Sequence, residues 1–401
     1  MVLGAAGRLV GLDVARCLAL LGMVTTHVLS TRDADGELAL SHAVAAGRSA
    51  ALFAVLAGVT LALTTGRRVP VRGRDRAARS LVIVVRALLI STLGFALGSL
   101  QSGLAIILVH YGLLFVLGLV FVGLTARPLA ALAVVWLLGV PVFSHVVRPG
   151  LPARGYESPS PAQLADPGPL LSELFLTGYY PVLPWLAYLL AGMAIGRLDL
   201  GSRRIHGLLL GVGALVATGS VLLSGFLTGR PGVLATLGRS LFPPTTADGV
   251  RNRIAEGMFG TTPTDTPWEW LLVVAPHSAT PFDLAHTIGT AVAVIGLALL
   301  LCGIVSPVAQ RGVAVLFGAG TMTLSLYTLH VVMRTQGVPP RDTPDSLVVH
   351  VAVLLWVGAV VVALRRRGPL EWMVARASTA ASGLLSTSDR NRSPGRDVRS
   401  P

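Results

Sequence analysis

Three ionisable residues in an otherwise apolar N-terminal stretch carry the first chemical signal: Asp13, Arg16 and His27. A charge in the hydrocarbon core costs several kcal/mol, so such residues face protein or a water-filled cavity. Asp13 and Arg16 are three residues apart and can pair on one helical face. From Arg16 to His27 is eleven residues, about 20° past three full turns. Both side chains then lie on one stripe, about 16 Å apart along the axis. A neutral imidazole can take a proton from a hydroxyl or amine, or act as a nucleophile. The alternative for His27 is an interfacial histidine with a hydrogen-bond partner, and for Arg16 a plain ion pair with Asp13.

Further candidates follow along the chain. Arg48 opens the next apolar segment, at the depth of His27, and could anchor a polar group or simply snorkel. His110 and Tyr111 lie within one apolar run and His330 within another, where such groups need a polar partner. His277, Asp283 and His286 stand together as His-x5-Asp-x2-His, but no third metal ligand is evident, so no metal is expected. An acceptor-binding loop, or an Asp283 helix cap, is the preferred reading there. Arg67 and Arg68 begin a basic run that can meet phosphates, although topology alone explains it.

The elements that must hold these residues are membrane helices. The chain has 401 residues, 53% hydrophobic and only 13% charged, with a mean hydropathy of +0.72. A chain this apolar needs lipid as its solvent. Apolar segments fall at 9–29, 48–65, 81–99, 103–125, 128–147, 179–197, 206–227, 284–305, 314–334 and 347–364. This predicts an all-α polytopic bundle of about ten transmembrane helices. Asp13 and Arg16 interrupt the first apolar run and no A-x-A-like site follows it, so it is kept as a helix and not a cleaved leader.

The net charge is +13, every basic residue is Arg, and no nucleic-acid motif occurs. Arg67 to Arg79, Arg127, Arg203, Arg204, Arg311 and Arg365 to Arg367 fall on one side if the helices alternate. The positive-inside rule makes that side cytoplasmic and puts both termini there. The long loops 30–47, 148–178 and 228–283 then build an outer cap or vestibule. Cys17 and Cys302 read as small buried hydrophobes. Residues 1–373 form one membrane domain, and 374–401 are expected to be a disordered basic cytoplasmic tail.

The sequence resembles the type 3 membrane acyltransferases through the Arg-x10-His pattern of its first helix. It is also similar to the heparan-alpha-glucosaminide N-acetyltransferase group. That likeness rests on Gly11-Leu12-Asp13-Val14-Ala15-Arg16, on Gly47-Arg48-Ser49 with Phe53 to Gly58, and on Tyr180-Pro181-Val182-Leu183-Pro184-Trp185 with Gly192 to Arg197. The segments Pro276 to His286 and Thr323 to Tyr327 resemble bacterial relatives, so the likeness runs over about 8–373. Cys17 departs from the Gly that usually follows the Arg. The resemblance implies a membrane-embedded acyltransferase of the bacterial plasma membrane. Acyl-coenzyme A, expected to be acetyl-coenzyme A, would donate from the cytoplasm with Arg16, Arg67 and Arg68 as contacts. His27 would be general base or acyl carrier, with Arg16 and Asp13 beside it. The acceptor would be a carbohydrate or small molecule bound from outside near Arg48, His110, Tyr111, His277, Asp283, His286 and His330. Membrane lipid and a second copy of the chain in a homodimer complete the expected partners, nucleic acid being absent from them. The competing reading is a small-molecule transporter or flippase.

Overall fold

The computed structural model describes residues 9–155, 158–340 and 343–390, without side chains for 382–390. Among the described residues the fold is helical, and the sole pairing of extended chain is an isolated bridge between Arg32 and Leu38. The helices in chain order are α1 (Val10–Val28), α2 (Leu40–Ala45), α3 (Arg48–Thr64), α4 (Gly73–Gly98), α5 (Leu108–Gly118), α6 (Ala126–Val147), α7 (Pro167–Ser172), α8 (Val182–Gly196), α9 (Arg203–Thr228), α10 (Val233–Arg239), α11 (Ala247–Glu256), α12 (Pro281–Ile304), α13 (Pro307–Leu316), α14 (Thr323–Met333), α15 (Ser346–Ala363) and α16 (Pro369–Arg390).

Every expected apolar segment carries a helix, but not every one is a full span. Among the described residues seven helices are long and apolar enough to cross a membrane, and α7 with α8 makes an eighth, bent by 46°. The segment expected at 103–125 keeps only the eleven residues of α5. Gly103 sits at φ +67 just before it, and Ile106 is held in non-helical chain by a hydrogen bond from its N–H to Ser158 Oγ (2.9 Å). The segment at 314–334 breaks at a tight turn over Gly318–Thr321, leaving eleven residues in α14. Eleven residues rise about 16 Å, roughly half of the hydrocarbon. The break has a packing cause: a Cβ on Gly320 would lie 1.8 Å from the Asp13 carbonyl oxygen. The turn therefore presses against α1, and buried irregular backbone is tolerated where protein surrounds it.

The broken helix leaves unpaired N–H groups at the start of α14, and α16 supplies their partner. Glu371 accepts from the Leu324 N–H (2.8 Å) and the Ser325 N–H (3.1 Å) through Oε1, and from the Ser325 hydroxyl (2.5 Å) through Oε2. A helix thus runs to Arg390 where irregular tail was expected from residue 374. Pro369 opens it, and Val374 and Ser378 lie on its buried side. Residues 391–401 lie outside the described residues.

The packed centre is α1, α3, α8 and α12, whose inward faces are mostly apolar but also bury Asp13, Asp283 and Thr287. Helices α3 and α8 touch backbone to backbone: a Cβ on Gly192 would sit 1.9 Å from the Val55 carbonyl oxygen. Small residues permit this approach, which is how helices associate in lipid. Outer helices instead present Val135, Leu138, Leu215, Leu222 and Phe226 outward, as an apolar solvent requires.

The two faces of the bundle are chemically distinct. On one, Arg197 at the end of α8 donates to the carbonyls of Ala62 (2.9 Å), Arg67 (2.7 Å) and Val122 (2.6 Å). This ties the Arg-rich loops together on one face. On the other, residues 228–280 fold over a small core of Leu237, Val250, Met258 and fully buried Trp270. Arg148 fastens this cap through the Thr262 carbonyl (2.6 Å) and hydroxyl (2.8 Å).

Candidate active site

The stripe on α1 runs between two cavities. The inner one, about 570 Å³, is lined by Arg16, Met23, Phe53, Thr60, Arg86 and Tyr111 among others. The outer one, about 330 Å³, is lined by Met23, His27, His42, Tyr179, Glu256 and His277 among others. Met23 borders both. It stands seven residues after Arg16 and four before His27, which keeps all three on one helical face. Tyr111 reinforces the partition: it lines the inner cavity, and its hydroxyl donates to the carbonyl of Ala50 (3.5 Å), a residue of the outer one.

At the inner end, Arg16 donates to Asp13 Oδ1 (2.9 Å) and to Thr60 Oγ1 (2.8 Å). The pair is only partly buried, so the guanidinium reaches the cavity while the carboxylate and hydroxyl hold it in place. Arg86 lies over the Phe115 ring, 5.6 Å from its centroid, in the same cavity wall. Arg86 was not singled out from the sequence, although an arginine inside an apolar run is a signal of the same kind as Arg16.

At the outer end, His27 Nδ1 lies 3.1 Å from His330 Nε2. His330 Nδ1 in turn lies 3.0 Å from His350 Nδ1. Both partners are almost fully buried, at 1% exposure. Nδ1 of His27 is therefore engaged, and Nε2 is left for the outer cavity. His350 is the second residue the sequence reading passed over. It sits inside an apolar helix as His330 does, and the fold, not the spacing, brings it to the site.

The remaining candidates divide. His277 lines the outer cavity at a left-handed φ of +58, packed on Tyr179 with ring centroids 4.7 Å apart. Burial, with His27 and His42 nearby, pushes its imidazole down to about 3, so it is neutral at ordinary pH. His42, not singled out beforehand, faces the same cavity and meets the Glu256 carbonyl (2.9 Å). Arg48, Asp283 and His286 line a smaller neighbouring cavity of about 200 Å³. Arg48 Nε donates to His286 Nε2 (3.0 Å), and the facing Ala217 carbonyl takes the His286 Nδ1 proton (3.1 Å). Asp283 accepts from the Ala279 N–H (3.1 Å), while the cap of α12 is Thr280. His277 and the Asp283–His286 pair line different cavities, and among the described residues no group of three ligands could hold a metal ion. His110 is buried against Tyr180 with neither ring nitrogen bonded, and it lines none of these cavities. Arg68 meets exposed Asp199 (3.2 Å), and neither it nor Arg67 lines the inner cavity.

The arrangement sets an imidazole on the outer cavity and a guanidinium on the inner one, with Met23 between them. The family model described as heparan-alpha-glucosaminide N-acetyltransferase, catalytic, matches residues 8–222, more than half of the chain. No curated protein matches the chain.

Proposed function

The chain belongs to the heparan-alpha-glucosaminide N-acetyltransferase catalytic family, and from that premise we propose that it moves an acyl group, acetyl foremost, from acyl-coenzyme A on the Arg-rich face to a hydroxyl or amine on the opposite face. The observation that carries this is the single α1 stripe, with Arg16 in one cavity, His27 in the other and Met23 between. The inner cavity is largely apolar with few charges, which suits a pantetheine arm. Arg16 meets its amide oxygens, and Arg67 and Arg68, which lie on the Arg-rich face outside the cavity, contribute a long-range attraction for the phosphates. The acceptor, a carbohydrate or similar small molecule, stacks against Tyr179 and His277 in the outer cavity.

As the acceptor oxygen or nitrogen attacks the thioester carbonyl, His27 Nε2 takes its proton. The new C–O or C–N bond forms, the C–S bond breaks, and the coenzyme thiolate takes that proton as it leaves. In a two-step variant Nε2 attacks first and carries the acyl group across Met23. The membrane is the bacterial plasma membrane in this reading, with the Arg-rich face cytoplasmic.

The test is labelled acetyl-coenzyme A with purified protein, scored for hydrolysis and for label on the protein. Wild type turns over the thioester, and His27→Ala does not. Equal turnover in His27→Ala would remove the catalytic assignment. Uptake of intact coenzyme by proteoliposomes without acyl transfer would favour a transporter.

A further inference from the structure

A base needs its lone pair on the right nitrogen, and the two histidines behind His27 decide which nitrogen that is. Each N···N contact holds one proton. A neutral His330 has one proton for two contacts, so it donates on one side and accepts on the other. Only two arrangements satisfy both contacts. In the first, His27 Nδ1–H donates to His330 Nε2, and His330 Nδ1–H donates to His350 Nδ1. In the second, every donor and acceptor is reversed. The first leaves a bare lone pair on His27 Nε2, facing the outer cavity, and the second puts a proton there.

The rings are built for this exchange. Those of His27 and His330 are within 9° of parallel with centroids 5.3 Å apart. A 3.1 Å N···N contact plus two ring radii nearly fills that distance, so the rings meet edge to edge with the hydrogen bond in plane. His330 and His350 meet at 74° with centroids 4.8 Å apart.

We propose that His27, His330 and His350 form a three-imidazole relay in which His350 sets the base-competent tautomer of His27 and receives the proton displaced when His27 acts. The relay rests on the acyltransferase reading for its chemistry, but not for its tautomers. When Nε2 takes the acceptor's proton, the Nδ1 proton of His27 passes to His330 Nε2, and the Nδ1 proton of His330 passes to His350 Nδ1. His350, already protonated at Nε2, becomes the imidazolium. The shift reverses as the coenzyme thiolate is protonated, so the cycle neither gains nor loses a proton. His350 touches no substrate; it is a positioning residue acting through His330.

Nitrogen-15 histidine NMR of the intact protein reads the tautomers directly, with His27, His330 and His350 assigned by single substitution. In wild type, neutral His27 carries its proton on Nδ1. His350→Asn keeps an acceptor oxygen where Nδ1 stood, so it preserves both the fold and that tautomer, but it cannot take a proton. His350→Ala loses both, and His27 becomes a mixture of tautomers. In the acetyl-coenzyme A assay, kcat falls at least 10-fold in His350→Ala and by less in His350→Asn, with KM unchanged in both. A wild-type His27 protonated on Nε2 at rest would overturn the relay, as would an unchanged tautomer and kcat in folded His350→Ala. Should the wild type transfer no acyl group, the acyltransferase reading fails while the spectrum still decides the relay.

Discussion

Asp13, Arg16 and His27 were legible because charge in an apolar helix is rare and helical spacing is regular. What spacing cannot supply is the partner from another helix: Thr60, His330 and His350 are 44 to 323 residues away from the groups they serve. Two residue-scale outcomes follow. Arg16→Gln should keep the fold, since Thr60 and Asp13 can hold the amide, and raise KM for acyl-coenzyme A about 10-fold or more. That corresponds to a charge-assisted contact of about 1.5–3 kcal/mol, and an unchanged KM would remove Arg16 from the donor site. His277 gives a pH signature. Its folded value is depressed to about 3, below the ordinary 6.5, so the unfolded chain binds more protons between those values. Stability is therefore whole above pH 6.5 and falls as pH drops through the window towards 3. In detergent melts, His277→Gln should flatten that part of the profile, and identical slopes would contradict the assignment.

At the scale of elements, the positions of helices were readable and their interruptions were not. Hydropathy sums over a window, so it passes over Gly103, where the chain turns through a left-handed conformation, and over Gly318 and Gly320, where it leaves the helix to approach a neighbour. The C-terminal helix was missed for a different reason. Its apolar side is thin, and it becomes a helix worth having only against α4 and the start of α14. Glu371 is the joint. Replacing it with Ala leaves the Leu324 and Ser325 N–H groups unpaired at the head of α14, a loss of about 1–3 kcal/mol. A clear drop in melting temperature should result, and an unchanged melt would mean that water substitutes fully. Gly192→Leu should do more, because its side chain has the backbone of α3 in its way; overpacking of this kind costs about 1–3 kcal/mol or more. Recovery of well-folded protein at wild-type yield would contradict the close α3–α8 packing.

As a whole, the molecule holds two chambers and a partition. Composition made the membrane-spanning helices readable. The chambers were not, because a cavity is defined by side chains from α1, α3, α4, α5, α14, α16 and the outer cap at once. Met23 borders both chambers. Met23→Trp should thicken the partition, so that acetyl-coenzyme A still binds with wild-type affinity while transfer falls by about 100-fold or more, the scale of a misplaced reacting group. Parallel loss of binding and transfer would mean that Met23 is only a packing residue.

The central claim is that an acyl group crosses the bilayer while its carrier does not. It is tested most directly in proteoliposomes loaded with glucosamine, with doubly labelled acetyl-coenzyme A, marked on the acetyl group and on the adenine, added outside. The account predicts acetylated glucosamine inside and the adenine label outside, with His27→Ala liposomes giving neither product nor uptake. Adenine label inside, or acetylated product formed on the donor's own side, would contradict it.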